Sequence, residues 1–487
     1  MDYKRRAVTT GNGKDEERNP NTAGVDRIST LSNTLIHRIL SSVSTVDVVR
    51  MSILSKRWSR MWYTVPHLRF YDSDAGFRKW KVFDNFMAKC LERREIGMSN
   101  NTSCAVTKFK LHIKHFWCRD ENLHRLLHSP VIRNNVEELD LSMEPKYNGA
   151  VCYCLPYTAL NGKSITVLKL NHVELEDSDN FSVNLPSLKS LCLEEVIVND
   201  VTLSKLLLGC PSLEKLMLKK CPKLFNPRIL SSSLKFFEME GFIRPSHKEL
   251  QVEAINLQTL VLRALYHGLN LCECSAVRTL SIHSIPNMRG ESLEAIISKL
   301  PLLEDLSLRH CDLLRHFKIS SKSLKSFTFA KFSRVEVNAT LETPNLVSFC
   351  YTGDMKFGVS MALPNDSLMN GHIKINDCII YEASNLYNKM IKFLSSINFS
   401  WNILTLEVRS EEDLIFPEEL RKTCGSPLTK IRHLKVKTLL RLNKKTSSDL
   451  RDSLHWASPD LETLDIEDGG KGDDDVSDFG NWMFRTN

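Results

Sequence analysis

Leu213-Glu214-Lys215-Leu216-Met217-Leu218-Lys219-Lys220-Cys221 is the stretch that decides the fold. Successive side chains of an extended chain point to opposite faces, so Leu216 and Leu218 share one face while Lys215, Met217 and Lys219 share the other. The same leucine-x-x-leucine-x-leucine spacing, with conservative replacements, returns at Val136/Leu139/Leu141, Ile165/Leu168/Leu170, Leu188/Leu191/Leu193, Leu257/Leu260/Leu262 and Val277/Leu280/Ile282. It continues at Leu303/Leu306/Leu308, Leu324/Phe327/Phe329, Leu346/Phe349/Tyr351, Ile403/Leu406/Val408, Ile431/Leu434/Val436 and Leu461/Leu464/Ile466. Most neighbouring matches lie about 20–30 residues apart, room for one short strand and a returning helix or loop. One such unit cannot bury its own apolar face, whereas stacked units can. The pattern therefore predicts an α/β fold over residues 104–468, an irregular solenoid (horseshoe) with a parallel sheet on its concave face.

This period is that of leucine-rich repeats, and two units extend the match to a buried turn cysteine: Cys221 above, and Cys311 in Leu306-Ser307-Leu308-Arg309-His310-Cys311. The alternate strand residues are expected to line the concave surface. They include Lys169 and Asn171, Cys192 and Glu194, Lys215, Met217 and Lys219, Val261 and Arg263, Ser281 and His283, and Asp305, Ser307 and Arg309. Basic side chains outnumber acidic ones between Lys215 and Arg309, so Lys169, Lys215, Met217, Lys219, Arg263, His283 and Arg309 are the candidate contacts to a target, with a preference for acidic partners. Glu238 and Glu240 intrude on that stripe if Leu234/Phe237/Met239 is also a repeat.

Ahead of the array, Leu31, Leu35, Ile36, Ile39, Leu40 and Val43 recur at the three-and-four spacing of a helix face. Ser44 and Thr45 offer acceptors for the free amides of a second helix, and Asp47 suits its positive end. Val48, Val49 and Met51 continue the apolar face, Ser52 to Ser55 breaks it, and Lys56-Arg57-Trp58-Ser59-Arg60-Met61-Trp62 starts a third helix. The domain reading is a disordered leader 1–25, a three-helix module 26–70, a helical linker 71–103, the solenoid 104–468 and an acidic tail 469–487 containing Asp473-Asp474-Asp475.

Asp26-Arg27-Ile28-Ser29-Thr30-Leu31, Ile39-Leu40-Ser41, Asp47-Val48-Val49-Arg50, Leu54-Ser55-Lys56-Arg57-Trp58 and Trp62 together resemble the F-box of plant F-box proteins. The resemblance implies a module that docks on a Skp1-like adaptor and through it joins a cullin-based ubiquitin ligase. At the matching positions it implies that Leu31, Leu35, Ile36, Ile39, Leu40, Val43, Leu54 and Trp58 supply the apolar contacts with the adaptor or the module's own core. Leu185-Pro186-Ser187-Leu188-Lys189-Ser190-Leu191, Gly209-Cys210-Pro211-Ser212-Leu213-Glu214 and Trp456-Ala457-Ser458-Pro459-Asp460-Leu461-Glu462-Thr463-Leu464 are similar to segments of plant F-box/leucine-rich-repeat proteins of the FBD-associated type. The sequence runs only about twenty residues past Leu464, so a carboxyl-terminal FBD region is expected to be absent or incomplete. The chain also has Ser32 and Ser44 where the family commonly has proline.

Composition narrows the function classes. Among 487 residues, 42% are hydrophobic and 25% charged, and no uninterrupted apolar run reaches the roughly 18 residues of a membrane helix, so no membrane partner is expected. The opening residues lack the apolar middle of a secretory signal, and fourteen scattered cysteines fit a reducing compartment, nucleus or cytoplasm. A net charge of +7 without a dense basic block argues against nucleic acid as a partner.

No phosphate loop, nucleophile elbow or zinc-protease helix is present. Cys152-Tyr153-Cys154 and Cys272-Glu273-Cys274 have the wrong spacing for zinc, and His124 with His128 lacks a nearby carboxylate in sequence. No cofactor, metal or catalytic residue is expected. The reading is a non-catalytic substrate-recognition subunit of an SCF-type E3 ubiquitin ligase that binds a target protein through its repeats. The alternative is a leucine-rich-repeat scaffold acting outside any ligase.

Overall fold

In the computed structural model, the repeated leucines become two ladders running along one parallel sheet of 16 strands. The structure describes residues 30–73, 80–99, 106–116, 121–129, 135–145, 152–176, 182–241, 249–263, 268–285, 288–311, 313–331, 335–362, 368–376, 383–440 and 446–468. The leader, the opening Asp26 to Ser29 of the helical module and the acidic tail lie outside them.

One ladder joins Leu168, Leu191, Leu216, Phe237, Leu260, Leu280, Leu306 and Phe327 in register; the second, two residues on, joins Leu170, Leu193, Leu218, Met239, Leu262, Ile282, Leu308 and Phe329. All are buried, each burial contributing about 1.5–3 kcal/mol. Return segments pack behind the ladders, including helices Asp200–Leu208, Gly290–Ser298, Ala383–Ser396 and Thr446–Ala457 and, among the described residues, three short parallel sheets. Parallel strands stack about 4.8 Å apart whereas helices need about 8–10 Å, so the strand side is the shorter, concave one.

The turn after the strand explains the cysteines. His172, Glu195, Lys220, Glu273, Ser284 and His310 each follow a strand directly and take the left-handed conformation, with φ between 51° and 55°. That conformation costs a non-glycine residue about 1–2 kcal/mol. Further ladder bonds offset it: the Lys220, Ser284 and His310 amides donate to Glu240, Arg309 and Ala330 carbonyls at 2.8, 2.8 and 2.9 Å. Cys221, Cys274 and Cys311 come next and are buried. The Cys221 thiol lies 3.7 Å from the Leu193 and Lys219 carbonyls, and burial pushes its pKa up to about 12, so it packs as a small apolar group. Helix Asp200–Leu208 is capped by Asn199, whose Oδ1 accepts from the Thr202 amide at 2.7 Å. Gly209 ends it because a Cβ there would stand 2.2 Å from the Val183 carbonyl oxygen.

The quoted pattern matches lie on strands of this sheet, and Leu234/Phe237/Met239 is a repeat as well. One match is two residues out, because the ladders pass through Leu404 and Leu406 and bury Trp401 while Ile403 is exposed, so that repeat is Trp401/Leu404/Leu406 rather than Ile403/Leu406/Val408. The sheet also starts earlier than residue 104. Helices α1 (Asn33–Ser42), α2 (Thr45–Met51) and α3 (Lys56–Trp62) lead into β1 (His67–Tyr71), which pairs in parallel with β2 (Lys108–Phe116) across the intervening α4 (Trp80–Ser99). Val65/Leu68/Phe70 and Val106/Phe109/Leu111 carry the repeat spacing with phenylalanine in one leucine place, and these side chains are buried. Strand Met369–Ile375 carries Gly371 at a ladder position because the Trp401 ring fills the space, 2.6 Å from where a Cβ would sit.

The serines at the family's proline positions are helix caps. Ser32 (φ −65°) accepts from the Leu35 amide and Ser44 (φ −67°) from the Asp47 amide, both at 3.3 Å. These φ values suit proline, and Val43 before Ser44 is extended, as a residue before proline must be. Ser44→Ala is expected to lower stability by about 1 kcal/mol through the lost cap. Ser44→Pro is expected to stay within about 0.5 kcal/mol of the natural chain, since unfolded-state stiffening offsets that loss. Urea unfolding of both variants measures the difference.

Candidate functional site

Two surfaces collect the candidate residues. On the helical module the apolar stripe divides into two rows one residue apart. Ile36 and Leu40 face inward at 0% and 1% exposure, and Trp58 is buried at 5%, so these three form the module's own core. Leu35 and Ile39, a second i, i+4 pair, stand 48% and 36% exposed, and Leu54 59% exposed in the turn between α2 and α3. Leu31 and Val43 are partly buried against the core. Ile53, beside Leu54, is 85% exposed. Sequence reading passed over it because it lies in a break rather than on a helical stripe. Helical spacing gives the apolar stripe, but only the packing of α3 and β1 decides which flank is covered.

Arg94 of α4 fixes this module on the sheet. It is 1% exposed, its Nη1 donates to the Trp62 carbonyl at 3.0 Å, its Nη2 donates to the Val65 carbonyl, and its guanidinium lies 5.3 Å from the Trp62 ring centroid. The Thr45 hydroxyl adds a tie, accepting from the β1 amide of Arg69 at 2.7 Å.

On the open face of the sheet, most charges already have partners. Glu238 lies 3.7 Å from Lys219 and 3.3 Å from Arg263, so the repeat at residue 237 neutralises part of the basic surplus expected there. Lys169 is 3.7 Å from Glu138, and Lys215 lies over the Phe236 ring at 4.8 Å. Met217 is half-buried beside Cys192 and Glu238 in register. His283 meets the Ser281 hydroxyl at 2.8 Å, and burial, then the charges of Arg263 and Arg309, lower its pKa to about 4, leaving it neutral at pH 7. Arg309 is exposed and, among the described residues, takes part in no ion pair.

Farther along, Glu407 lies 3.2 Å from His372 and 2.7 Å from Lys374, and hydrogen bonding from His372 and Lys374 outweighs burial to hold its carboxyl at about 2. A carboxyl depressed by folding contributes stability that is present in full above its ordinary pKa of 4.5 and is lost as pH falls through about 2. Glu407→Gln is therefore expected to flatten the decline in stability between those pH values, as read by denaturant unfolding across that range.

Among the described residues no group of three or more metal-ligating side chains occurs. Cys274 of the Cys272/Cys274 pair serves as a turn cysteine, donating to the Val252 and Cys272 carbonyls at 3.3 Å. The His124 and His128 rings lie tilted against each other with centroids 4.4 Å apart, and His128 meets Thr158 at 2.8 Å.

Comparison with known proteins agrees with this architecture. The F-box domain family model matches residues 28–70, the helical module with its exposed apolar pairs. A leucine-rich-repeat model named for the FBD-associated F-box protein At5g56370 matches 123–289, and another named for At1g61320/AtMIF1 matches 285–467. The chain carries an F-box domain followed by leucine-rich repeats, as plant F-box/leucine-rich-repeat proteins do.

Among relatives of the F-box and repeats in Arabidopsis thaliana, the putative F-box/LRR-repeat protein At5g02930 is 30% identical over 248 residues, covering 49% of this chain and 48% of its own length. F-box/FBD/LRR-repeat protein At1g13780 is 31% identical over 50% of this chain and 54% of its own length. Putative F-box/FBD/LRR-repeat protein At1g16940 is 24% identical over 64% of this chain and 68% of its own. The chain thus spans about half the length of most of these curated relatives.

Proposed function

We propose that this F-box/leucine-rich-repeat chain is a non-catalytic substrate-recognition subunit of an SCF-type E3 ubiquitin ligase. Its F-box docks on a Skp1-like adaptor, and through it a cullin, while the open face of the repeats holds a target protein. The observation carrying the reading is that the F-box completes its own core with Ile36, Leu40 and Trp58, yet leaves Leu35, Ile39, Ile53 and Leu54 exposed. Large apolar groups on a small helical module are what a partner helix covers. Holding a target beside a separate conjugating enzyme raises effective concentration and needs no chemistry from this chain. The described cysteines are free thiols, which suits the reducing cytoplasm or nucleus.

Co-purification with a Skp1-like adaptor tests the reading. The natural chain is expected to retain the adaptor, and Ile39→Asp to lose it. Retention by neither would leave a repeat scaffold outside the ligase, and equal retention by both would show that the exposed row at Ile39 is not the docking surface. Removing residues before 100 is a poor control, because it strips β1 from the edge of β2 and exposes the ladder ends.

A further inference from the structure

Arg309 ends a strand whose neighbours leave it unusual surroundings. Registered pairing puts Arg263, His283 and Arg309 side by side on three adjacent strands, Thr259–Arg263, Thr279–His283 and Asp305–Arg309. At about 4.8 Å per strand the row spans about 10 Å. Two residues back, the next row across the sheet reads Ser281, Ser307, Thr328 and Cys350, all short side chains. Beyond Arg309 the same end of the sheet continues with Ala330 and Thr352, which are also short.

The open face therefore dips over four strands, about 14 Å across, the length of about four residues of extended peptide. Ion pairs border the dip on both sides: Lys219, Glu238 and Arg263 before it, and His372, Lys374 and Glu407 after it. Arg263 spends its charge on Glu238, whereas Arg309 is exposed. On these four strands the described carboxylate of the open face, Asp305, lies at the opposite strand end from Arg309, four residues away, or about 13 Å.

We propose that the strands from Thr279–His283 to Ser348–Gly353 form a lane for an extended target segment carrying an anionic side chain, which Arg309 receives between the Arg263 and His283 side of the lane and Ala330. The inference rests on the target-binding role given above and names its chemistry. Arginine pairs with a carboxylate or phosphate through two parallel hydrogen bonds, and the short floor lets a peptide backbone approach the sheet. Asp305, on the opposite flank of the short row, repels an anion there and so favours placing it on the Arg309 side.

The test is selection from a random-peptide display library against the full natural chain, followed by fluorescence-anisotropy titration of one selected peptide. Adaptor retention is measured on the same preparations, so loss of the docking role and loss of the lane are read separately. Asp- and Glu-containing peptides are expected to be enriched. Arg309→Glu is expected to weaken the selected peptide about tenfold or more, and Arg309→Lys less, because lysine keeps the charge without the planar fork. Ser307→Trp, which fills the floor without touching Arg309's charge, is expected to weaken it as well. Lys422→Glu, on an exposed helix elsewhere, is expected to change nothing. Replacing the peptide's acidic residue with phosphoserine separates the two sources of the anion: tighter binding assigns a phosphorylated target, weaker or equal binding a carboxylate, and Arg309→Glu weakens either. Selection without acidic enrichment, selected peptides bound equally by Arg309→Glu, or displacement only by RNA would overturn the proposal.

Discussion

Changing Ile53 and Leu54 together to aspartate is expected to abolish retention of a Skp1-like adaptor while leaving the fold intact. Both side chains are mostly exposed in the free chain, at 85% and 59%, so folding gains little from them, and exposed substitutions usually alter stability by less than about 0.5 kcal/mol. Docking reverses the accounting. Covering each side chain contributes about 1.5–3 kcal/mol, and a carboxylate put in its place must be desolvated unpaired. A combined loss above about 4 kcal/mol corresponds to roughly a thousandfold in affinity. Calorimetric titration with the adaptor measures the loss, and an unchanged circular-dichroism melting curve shows that the fold survives. Ile36→Asp is the contrasting variant: it places a charge in the module's core at 0% exposure and is expected to lower stability itself.

The second large effect is on stability. Arg94→Met keeps the buried length of the side chain but withdraws the donors to the Trp62 and Val65 carbonyls. The Val65 carbonyl is left unpaired, at a cost of about 1–3 kcal/mol, while the Trp62 carbonyl keeps the Val65 amide at 3.4 Å. With the cation over the Trp62 ring lost too, a loss of about 2–3 kcal/mol is expected. Arg94→Lys is expected to recover little, because one ammonium lacks the fork that reaches two carbonyls. Denaturant unfolding followed by tryptophan fluorescence reads this directly, since Trp58 and Trp62 lie in the affected module. An unchanged midpoint would show that Arg94 does not tie the module to the sheet.

The solenoid was legible because its physics is periodic. Residues that must alternate faces and repeat at each turn write themselves into the sequence, and all the quoted leucine matches but Ile403/Leu406/Val408, which is two residues out of step, lie in register on the sheet. What escaped was substitution within the ladder: phenylalanine in β1 and β2, and Gly371, whose space Trp401 fills from the next strand. Such trades conserve volume across strands and not letters along one.

The candidate surfaces were less legible. Spacing located the stripe on α1 but not its exposed row, Leu35 and Ile39, and gave no sign of Ile53. On the open face, the basic surplus read from Lys215 to Arg309 shrinks once Glu238 is placed between Lys219 and Arg263, because pairing across strands is not visible along the chain. Arg309 stands out only when its neighbours are known.

Hydrogen–deuterium exchange of the F-box in the presence and absence of a Skp1-like adaptor tests the central claim most directly. Slowed exchange is expected in α1 around Leu35 and Ile39 and in the turn holding Ile53 and Leu54, with the open face of the repeats unchanged. Protection confined to the repeats, or none anywhere in the presence of saturating adaptor, would contradict the account.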